Sequence, residues 1–426
     1  MRYSKTEVGP YNIHTIKTDK FKTITIKINF KRKVAKEELT YRSLLSDILV
    51  ESSNKYPSQR YLTMAMEDLY SQKVSTSVTI SGKYSVLSFN SQFLNEEYTE
   101  KGMLKKSLLF LIGLILNPDF DSNQFKEEKL DNVKNKLIDS IKESFTNPRN
   151  YAYRKMLEAM DNKAIYAYHP SGYIEDLDSV TVESLTEYYK QVIHSDIIDI
   201  FIVGNIDNQE IKKIFMNNFL VNTIKKQGES HIITHDKYRK RAKKVKEPYD
   251  SKQSHLLIGC KLDNLTDFER NYVSFVYSFI LGGGPDSRLF RIIREKNSLC
   301  YNISSSLKAL SNLLIINAGI DKRNGEKAIK LIRKEILNIS KGLIEEKELV
   351  NAKTNYENAI NELVDLPSGI ISHYTEKEYF SSDTFKERIN NIKKIDKQMI
   401  VDFAKKVHID TIYFLEGGNL DESDTI

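Results

Sequence analysis

"ILNPDFDSNQFKEEKLDNVKNKLIDSI", residues 115–141, has a counterpart in "ILNISKGLIEEKELVNAKTNYENAI", residues 336–360. Both run Ile-Leu-Asn, a short turn, then Glu-Glu-Lys at the opening of a long polar helix. The flanking landmarks repeat in the same order. "AMEDLYSQKVSTSVTISGKYSVLSFNSQF" (65–93) parallels "IIREKNSLCYNISSSLKALSNLLIINAGI" (292–320). Each is a helix end followed by two strands of roughly alternating polarity. Near the close of each half a helix leads into a short strand, "VESLTEYYKQVIHSDIIDIFIVGNI" (182–206) against "KQMIVDFAKKVHIDTIYFLEGG" (397–418). A repeat this long means duplicated domains rather than a solenoid. The expected division is therefore a first domain over 1–224, a basic linker over 225–250 and a second domain over 251–426. Each domain reads as strands backed on one side by helices, an α+β layer.

The bulk numbers agree. A chain of 426 residues is too long for one ordinary core. Hydrophobic residues make up 40% and charged residues 29%, the balance of a soluble globular protein. The longest apolar run, "SLLFLIGLIL" at 107–116, falls short of the roughly 18 residues a membrane span needs and ends at Asn117-Pro118, so a buried helix is expected. "MRYSKTEVGPYNIHTI" at the start has no apolar signal core. Two cysteines argue against a disulfide framework and for a reducing cytoplasm. The stretch "KYRKRAKKVK" (237–246) holds seven Lys or Arg in ten residues, but the net charge is only +6 and Tyr238 is its one aromatic. It reads as a solvated linker or edge strand rather than a nucleic-acid surface.

The duplicated α+β half, with Lys55-Tyr56-Pro57-Ser58 after an early helix, resembles the pitrilysin/insulinase-type metallopeptidases. It is most similar to their short bacterial branch, related to mitochondrial processing peptidase. The densest part of the resemblance is "LGGGPDSRLFRIIREKNSLCY", 281–301. It looks like the family's Leu-Gly-Gly, Ser-Arg-Leu-Phe, Arg-Glu-Lys and Leu-x-Tyr signature. The resemblance implies two homologous α/β-roll domains, each a mainly antiparallel sheet packed on one side by helices, arranged as a half-clamshell.

Family enzymes carry His-x-x-Glu-His on a helix. Two histidines four apart share a helix face and reach one zinc ion. The glutamate between them polarises the bound water. Anchored on Lys55–Ser58, the motif's positions fall in "SLLSDILVESSNKYPS" (43–58): the first His at Ser43, the Glu at Ser46 and the second His at Asp47. By the family's spacing the supporting glutamate of a later helix falls at Glu128 and the ligand glutamate at Asn135. One aspartate and two hydroxyls cannot approach the roughly 10–16 kcal/mol that full Cys/His ligand sets give structural zinc. No histidine lies between His14 and His169, so sliding the alignment does not help. His231 and His235 have helical spacing but lie in the linker with no third ligand. The other histidines, His14 among them, read as surface or satisfied core residues. Cys260 and Cys300 read as small core residues. The resemblance thus implies a member lacking the zinc motif, inactive alone, with no metal of its own.

Arg294 and Tyr301 stand at the spacing at which the family uses an Arg and a Tyr to reach a facing chain's zinc site. A guanidinium and a phenol can hold the scissile carbonyl and stabilise its oxyanion. The plainer reading pairs Arg294 with Glu295 or Asp286 and packs Tyr301 on a helix. Gly282, Gly283 and Gly284 correspond to a glycine-rich loop that touches substrate in processing-peptidase relatives, and they lack the Gly-Lys-Ser/Thr of a phosphate loop. Otherwise the glycines serve the turn into the helix near Ser287. The reading favoured is a substrate-positioning subunit in a heterodimer with a His-x-x-Glu-His paralogue that holds the zinc. Peptides would be bound as an added strand. A homodimer in isolation is open; no membrane or nucleic-acid partner is expected. The alternatives are a structural or peptide-binding pseudo-peptidase, a nucleic-acid binder using the basic linker, and an enzyme with a metal-free site. For the last, no nucleophile-and-base arrangement was found.

Overall fold

The first strands are built on alternation. In "TITIKINFKRK" (23–33), Ile24, Ile26, Ile28 and Phe30 are fully buried on one face, and Thr25, Lys27, Asn29 and Lys31 take the other. The computed structural model describes residues 1–221, 230–380 and 383–417. The first half runs β1 (Arg2–Val8), β2 (Tyr11–Lys17), β3 (Thr23–Lys33), α1 (Leu39–Glu51), α2 (Gln59–Asp68), β4 (Lys73–Ser81), β5 (Tyr84–Leu94) and α3 (Met103–Leu116). It continues through a two-residue ribbon β6/β7 (Phe120–Asp121, Gln124–Phe125), α4 (Glu127–Thr146), α5 (Pro148–Asp161), α6 (Val182–Ser195), β8 (Ile197–Gly204) and α7 (Asn208–Asn218). The second half runs β9 (Lys243–Pro248), β10 (Ser254–Leu262), α8 (Ser274–Gly282), β11 (Cys300–Lys308), β12 (Leu313–Ile320) and α9 (Gly325–Ser340). α10 (Glu346–Leu363), α11 (Pro367–Phe380), α12 (Phe385–Lys393), α13 (Lys397–Lys405) and β13 (Val407–Glu416) complete it.

The duplication is visible in the strand order. The first sheet is β1-β2-β8-β3-β5-β4 and the second is β9-β13-β10-β12-β11. Without β1, the two orders correspond strand for strand. In each, the parallel pair is the same one, β2 with β8 and β9 with β13, and the other pairs are antiparallel. The apolar run at 107–116 is the buried C-terminal part of α3.

Two compact units form, and neither is a simple half of the chain. One comprises Met1–Lys142, His169–Ser230 and Leu363–Phe380. The other comprises Glu143–Tyr168, His231–Glu362 and Ser381–Ile426. Consecutive domains over 1–224 and 251–426 therefore do not describe the packing, because each half lends one helix to the other's unit. α5, started by the Asn147 cap and Pro148, buries Ala152, Met156, Leu157 and Met160 against Leu257, Leu313, Ile315, Tyr413 and Leu415. Gly259 makes room for it, since a Cβ there would lie 2.4 Å from the Met160 sulfur. α11 buries Ile370, Ile371 and Tyr374 against Ile16, Phe201 and Val203. Fully burying a side chain of this size contributes roughly 1.5–3 kcal/mol, which is what fixes the exchange.

Part of the basic stretch expected to be a linker is the edge strand β9. Its neighbours engage it: Lys244 pairs with Glu326 at 3.3 Å, Lys246 with Glu416 at 3.7 Å, and Arg239 with Asp410 at 3.3 Å. Residues 225–229 of the expected linker lie outside the described residues.

Candidate functional site

α1 carries the positions expected to correspond to a metal motif, and they are bonded inward. Ser43 Oγ donates to the Pro170 carbonyl at 3.3 Å. Ser46 Oγ lies 2.8 Å from the Ser43 carbonyl and 3.2 Å from Asp47 Oδ1. Burial holds the Asp47 carboxyl above the usual carboxylate range, against the opposing pull of Ser46 and Lys136. The loop 169–173 covers the start of this face. Gly172 is left-handed (φ 79°), and a Cβ there would sit 2.4 Å from Thr40 Cα. Thr40 Oγ1 accepts from Tyr173 N at 3.0 Å and donates to Asp176 at 2.8 Å. On α4, Asn135 and Glu128 are exposed. It is Lys136, one residue on, that reaches α1, with Nζ 2.6 Å from Glu51 Oε2. Ser43, Ser46 and Asp47 are thus gathered on one helix, and the Lys136 ammonium pairs with the Glu51 carboxylate of that helix.

Sequence reasoning missed the residue that holds this helix. Arg42, next to Ser43, is fully buried, with Nη2 2.8 Å from Asp196 Oδ2 and further bonds to the Phe30 carbonyl and Tyr188. Arg32 Nε takes the other Asp196 oxygen at 2.6 Å. The available signal was a guanidinium inside an otherwise apolar helix, "LTYRSLLSDILVE". Buried charges persist only when paired.

In the second unit the backbone leaves regular geometry at the two signature residues. Arg294 lies in a π-helical segment, Phe290–Lys296. Such segments are rare and frequent at functional sites. It is exposed, its guanidinium 4.6 Å from the Phe290 ring centroid, and among the described residues it has no ion pair with Glu295, Asp286 or any other acid. Tyr301 is the extra residue of a β-bulge. Cys300 pairs with Ile320 and Asn302 with Gly319, so Tyr301 has no partner across the ladder. Its side chain is 70% exposed, not packed on a helix. Bulges re-aim side chains and are over-represented next to active sites.

The glycine loop has a mixed character. A Cβ on Gly282 would meet the Ser305 backbone nitrogen at 2.7 Å, and one on Gly283 the Phe279 Cα at 2.6 Å. Neither has a positive φ, so both serve close packing rather than a left-handed turn. Gly284 meets nothing within 4 Å, and with Pro285, Asp286 and Arg291 it lines a cavity of about 260 Å³. Ser287 Oγ donates to the Gly284 carbonyl. A second cavity, about 860 Å³, lies at the free edge of β4 in the first unit, lined by Thr25, Glu67, Lys73, Gln92 and Leu366.

The remaining candidates are structural. His231 is buried, and the extended segment that carries it gives no helical spacing with His235. His235 Nε2 lies 2.8 Å from the Ser311 carbonyl, and burial lowers its pKa. Burial pushes the thiols of Cys260 and Cys300 up to about 12 and about 11, the reverse of what a nucleophile needs. No helix among the described residues is long and apolar enough to cross a membrane.

Comparison with known proteins agrees with this geometry. Residues 179–356 match the family described as peptidase M16 inactive domain. The chain is 27% identical over 417 residues to the probable inactive metalloprotease YmfF of Bacillus subtilis, covering 97% of each. It is 23% identical over 306 residues to the uncharacterized zinc protease YmxG of the same organism, covering 70% of this chain and 71% of that one. The crystal structure of a conserved protein from Enterococcus faecalis superposes with a TM-score of 0.91 at 25% identity, covering 99% of this chain and all (100%) of that chain. The chain is thus similar, over nearly its whole length, to proteins of the pitrilysin/insulinase (M16) type, and its sequence contains no His-x-x-Glu-His.

Proposed function

We propose that this chain is the substrate-positioning subunit of a two-chain zinc metallopeptidase, paired with a His-x-x-Glu-His paralogue. The observation that carries the reading is the state of Arg294 and Tyr301. Both are exposed, one on a π-helical turn and one on a bulge, and Arg294 has no acid partner among the described residues. An unpaired guanidinium and a free phenol are hydrogen-bond donors awaiting an acceptor. A zinc ion held by the partner's His-x-x-Glu-His residues would supply the activated water. Arg294 and Tyr301 then donate to the scissile carbonyl oxygen as it gains negative charge, and hold the peptide in register. Tyr301 is the second residue of β11, an edge strand, so a peptide added along that edge would run past it. The loop Gly282–Gly284 would lie among the substrate-facing segments, with Gly284 its open member.

The test is a fluorogenic peptide panel. The chain is assayed alone, with zinc, and with each His-x-x-Glu-His family member of its organism, as wild type and as Arg294→Ala. Activity only in a mixture, weakened by the substitution, supports the reading. Stable association without turnover in any mixture moves the function to a peptide-binding or structural pseudo-peptidase. The open β4 edge beside its cavity favours that second reading, because it offers an extended peptide a berth without chemistry.

A further inference from the structure

The sheet face beneath α11 holds a polar cluster that the function above does not use. His14 on β2 and Asp199 on β8 are both at least 99% buried, and Glu378 comes from α11. One ligand atom from each lies within 4.8 Å of the other two. His14 Nε2 faces Asp199 Oδ1 at 3.5 Å, too long for a good hydrogen bond. Among the described residues, neither Nε2 nor Asp199 Oδ2 has a hydrogen-bond partner. Orphaned buried groups of this kind cost about 1–3 kcal/mol or more, so the fold must gain something by keeping them.

We propose that His14, Asp199 and Glu378 bind a divalent metal ion of the zinc type, at a site separate from the family's motif on α1. Two ligands about 2.1 Å from a tetrahedral zinc stand about 3.4 Å apart, close to the His14–Asp199 separation. Imidazole with two carboxylates is a zinc donor set, and its two negative charges cancel those of the ion. The supporting contacts are those of a metal histidine. Tyr3 Oη lies 2.8 Å from His14 Nδ1, and Phe201 stacks on the ring at 4.4 Å between centroids. Asn12 Nδ2 donates to Asp199 Oδ1 at 2.9 Å. Such contacts fix tautomer and orientation. Glu378 is the partly exposed member, 23% by side chain, which leaves a fourth position for water.

Two lysines oppose the ion. Lys5 pairs with Glu378 at 2.5 Å, but it is itself 34% exposed and free to swing away. Lys31 Nζ lies 3.7 Å from Asp199 Oδ2 and 4.0 Å from the Tyr379 ring centroid. The Tyr379 ring gives the Lys31 ammonium a second partner, so it can give up Asp199 Oδ2 to the ion. The ion would join two strands of the first unit to the helix lent by the second half.

This inference does not depend on the peptidase partnership, and its test needs no activity. Chelator-treated full-length chain is titrated with Zn²⁺ against a chromophoric chelator, and with Co²⁺ as an optical probe. One zinc per chain is expected. Glu378→Gln and Tyr3→Phe should each weaken it by about 10–100-fold, and Lys31→Met should tighten it. His14→Ala should abolish it; because that site is buried, circular dichroism must show the variant folded, and Glu378→Gln carries the test if it is not. Absence of zinc binding by the wild type overturns the proposal and leaves the Lys31 ammonium as the only cation Asp199 needs. Binding unchanged in both Glu378→Gln and folded His14→Ala also overturns it, since the ion then sits elsewhere.

Discussion

The α1 face of the first unit and the Arg294–Tyr301 segment of the second treat their polar groups in opposite ways. On α1, Ser43, Ser46 and the neighbouring Arg42 spend their hydrogen bonds inside the protein, and a loop closes over Thr40. Around Arg294 and Tyr301 the backbone departs from regular helix and strand geometry, and the side chains remain exposed. Groups satisfied internally stabilise the fold. Groups held out by irregular backbone are available to a ligand. Substitutions on α1 should therefore be read in stability, and substitutions at 294 and 301 in turnover.

The largest effect that could break this contrast is at Arg294. On the proposed pairing, Arg294→Ala should lower kcat of an active mixture with a His-x-x-Glu-His paralogue by about 100- to 1000-fold, the usual loss where an oxyanion donor is removed. Its unfolding free energy, measured in urea, should stay within about 0.5 kcal/mol of wild type, as for an exposed residue. A large stability loss with little loss of turnover would reverse the assignment. Arg42→Met is the mirror experiment. Breaking a buried pair costs about 3–5 kcal/mol. The low end, about 3 kcal/mol, is expected because Arg32 remains on Asp196 Oδ1. Urea denaturation checks it, and any turnover of the folded mixture should be unaffected.

How much of this was legible in the sequence follows from which interactions are local. The repeat announced itself because strand alternation and helix caps are written in neighbouring residues, and the paired strand orders follow from it. The α5 and α11 exchange did not. The periodicity of "PRNYAYRKMLEAMD" tells which face is buried but not which sheet it meets. The signature around Arg294 was readable as residues, while the bulge at Tyr301 depends on Gly319 and Ile320 across the ladder. The His14 cluster draws on both ends of the chain, so no local pattern contains it, and His14 alone reads as one more core histidine.

A smaller effect sharpens the contrast within the second unit. Tyr301→Phe removes one hydroxyl and leaves the ring, so it should lose about one hydrogen bond, about 0.5–1.5 kcal/mol, or a few-fold in kcat/KM. The loss should not add to that of Arg294→Ala if both donors serve the same oxygen, since groups acting as a unit are non-additive. Full additivity in the double variant would separate the two residues into independent roles.

The smallest effect belongs to Asp47. Burial raises its carboxyl above the ordinary value, so the folded chain holds this proton more tightly than the unfolded chain does. The stability this group contributes is then complete below its unfolded pKa, about 3.9, and is lost as the pH rises through the higher folded-state value. Asp47→Asn, neutral at every pH, should match wild type in acid and exceed it near neutrality by less than about 1 kcal/mol. Urea unfolding free energies at about pH 3 and pH 7.5 measure the difference. A variant less stable than wild type at pH 7.5 would mean that the Asp47 charge is needed. Its partner would be the Lys136 ammonium, whose field already opposes the rise of the Asp47 pKa. The inward-bonded face of α1 would then be an electrostatic site in its own right, and the contrast with Arg294 and Tyr301 would narrow to exposure alone.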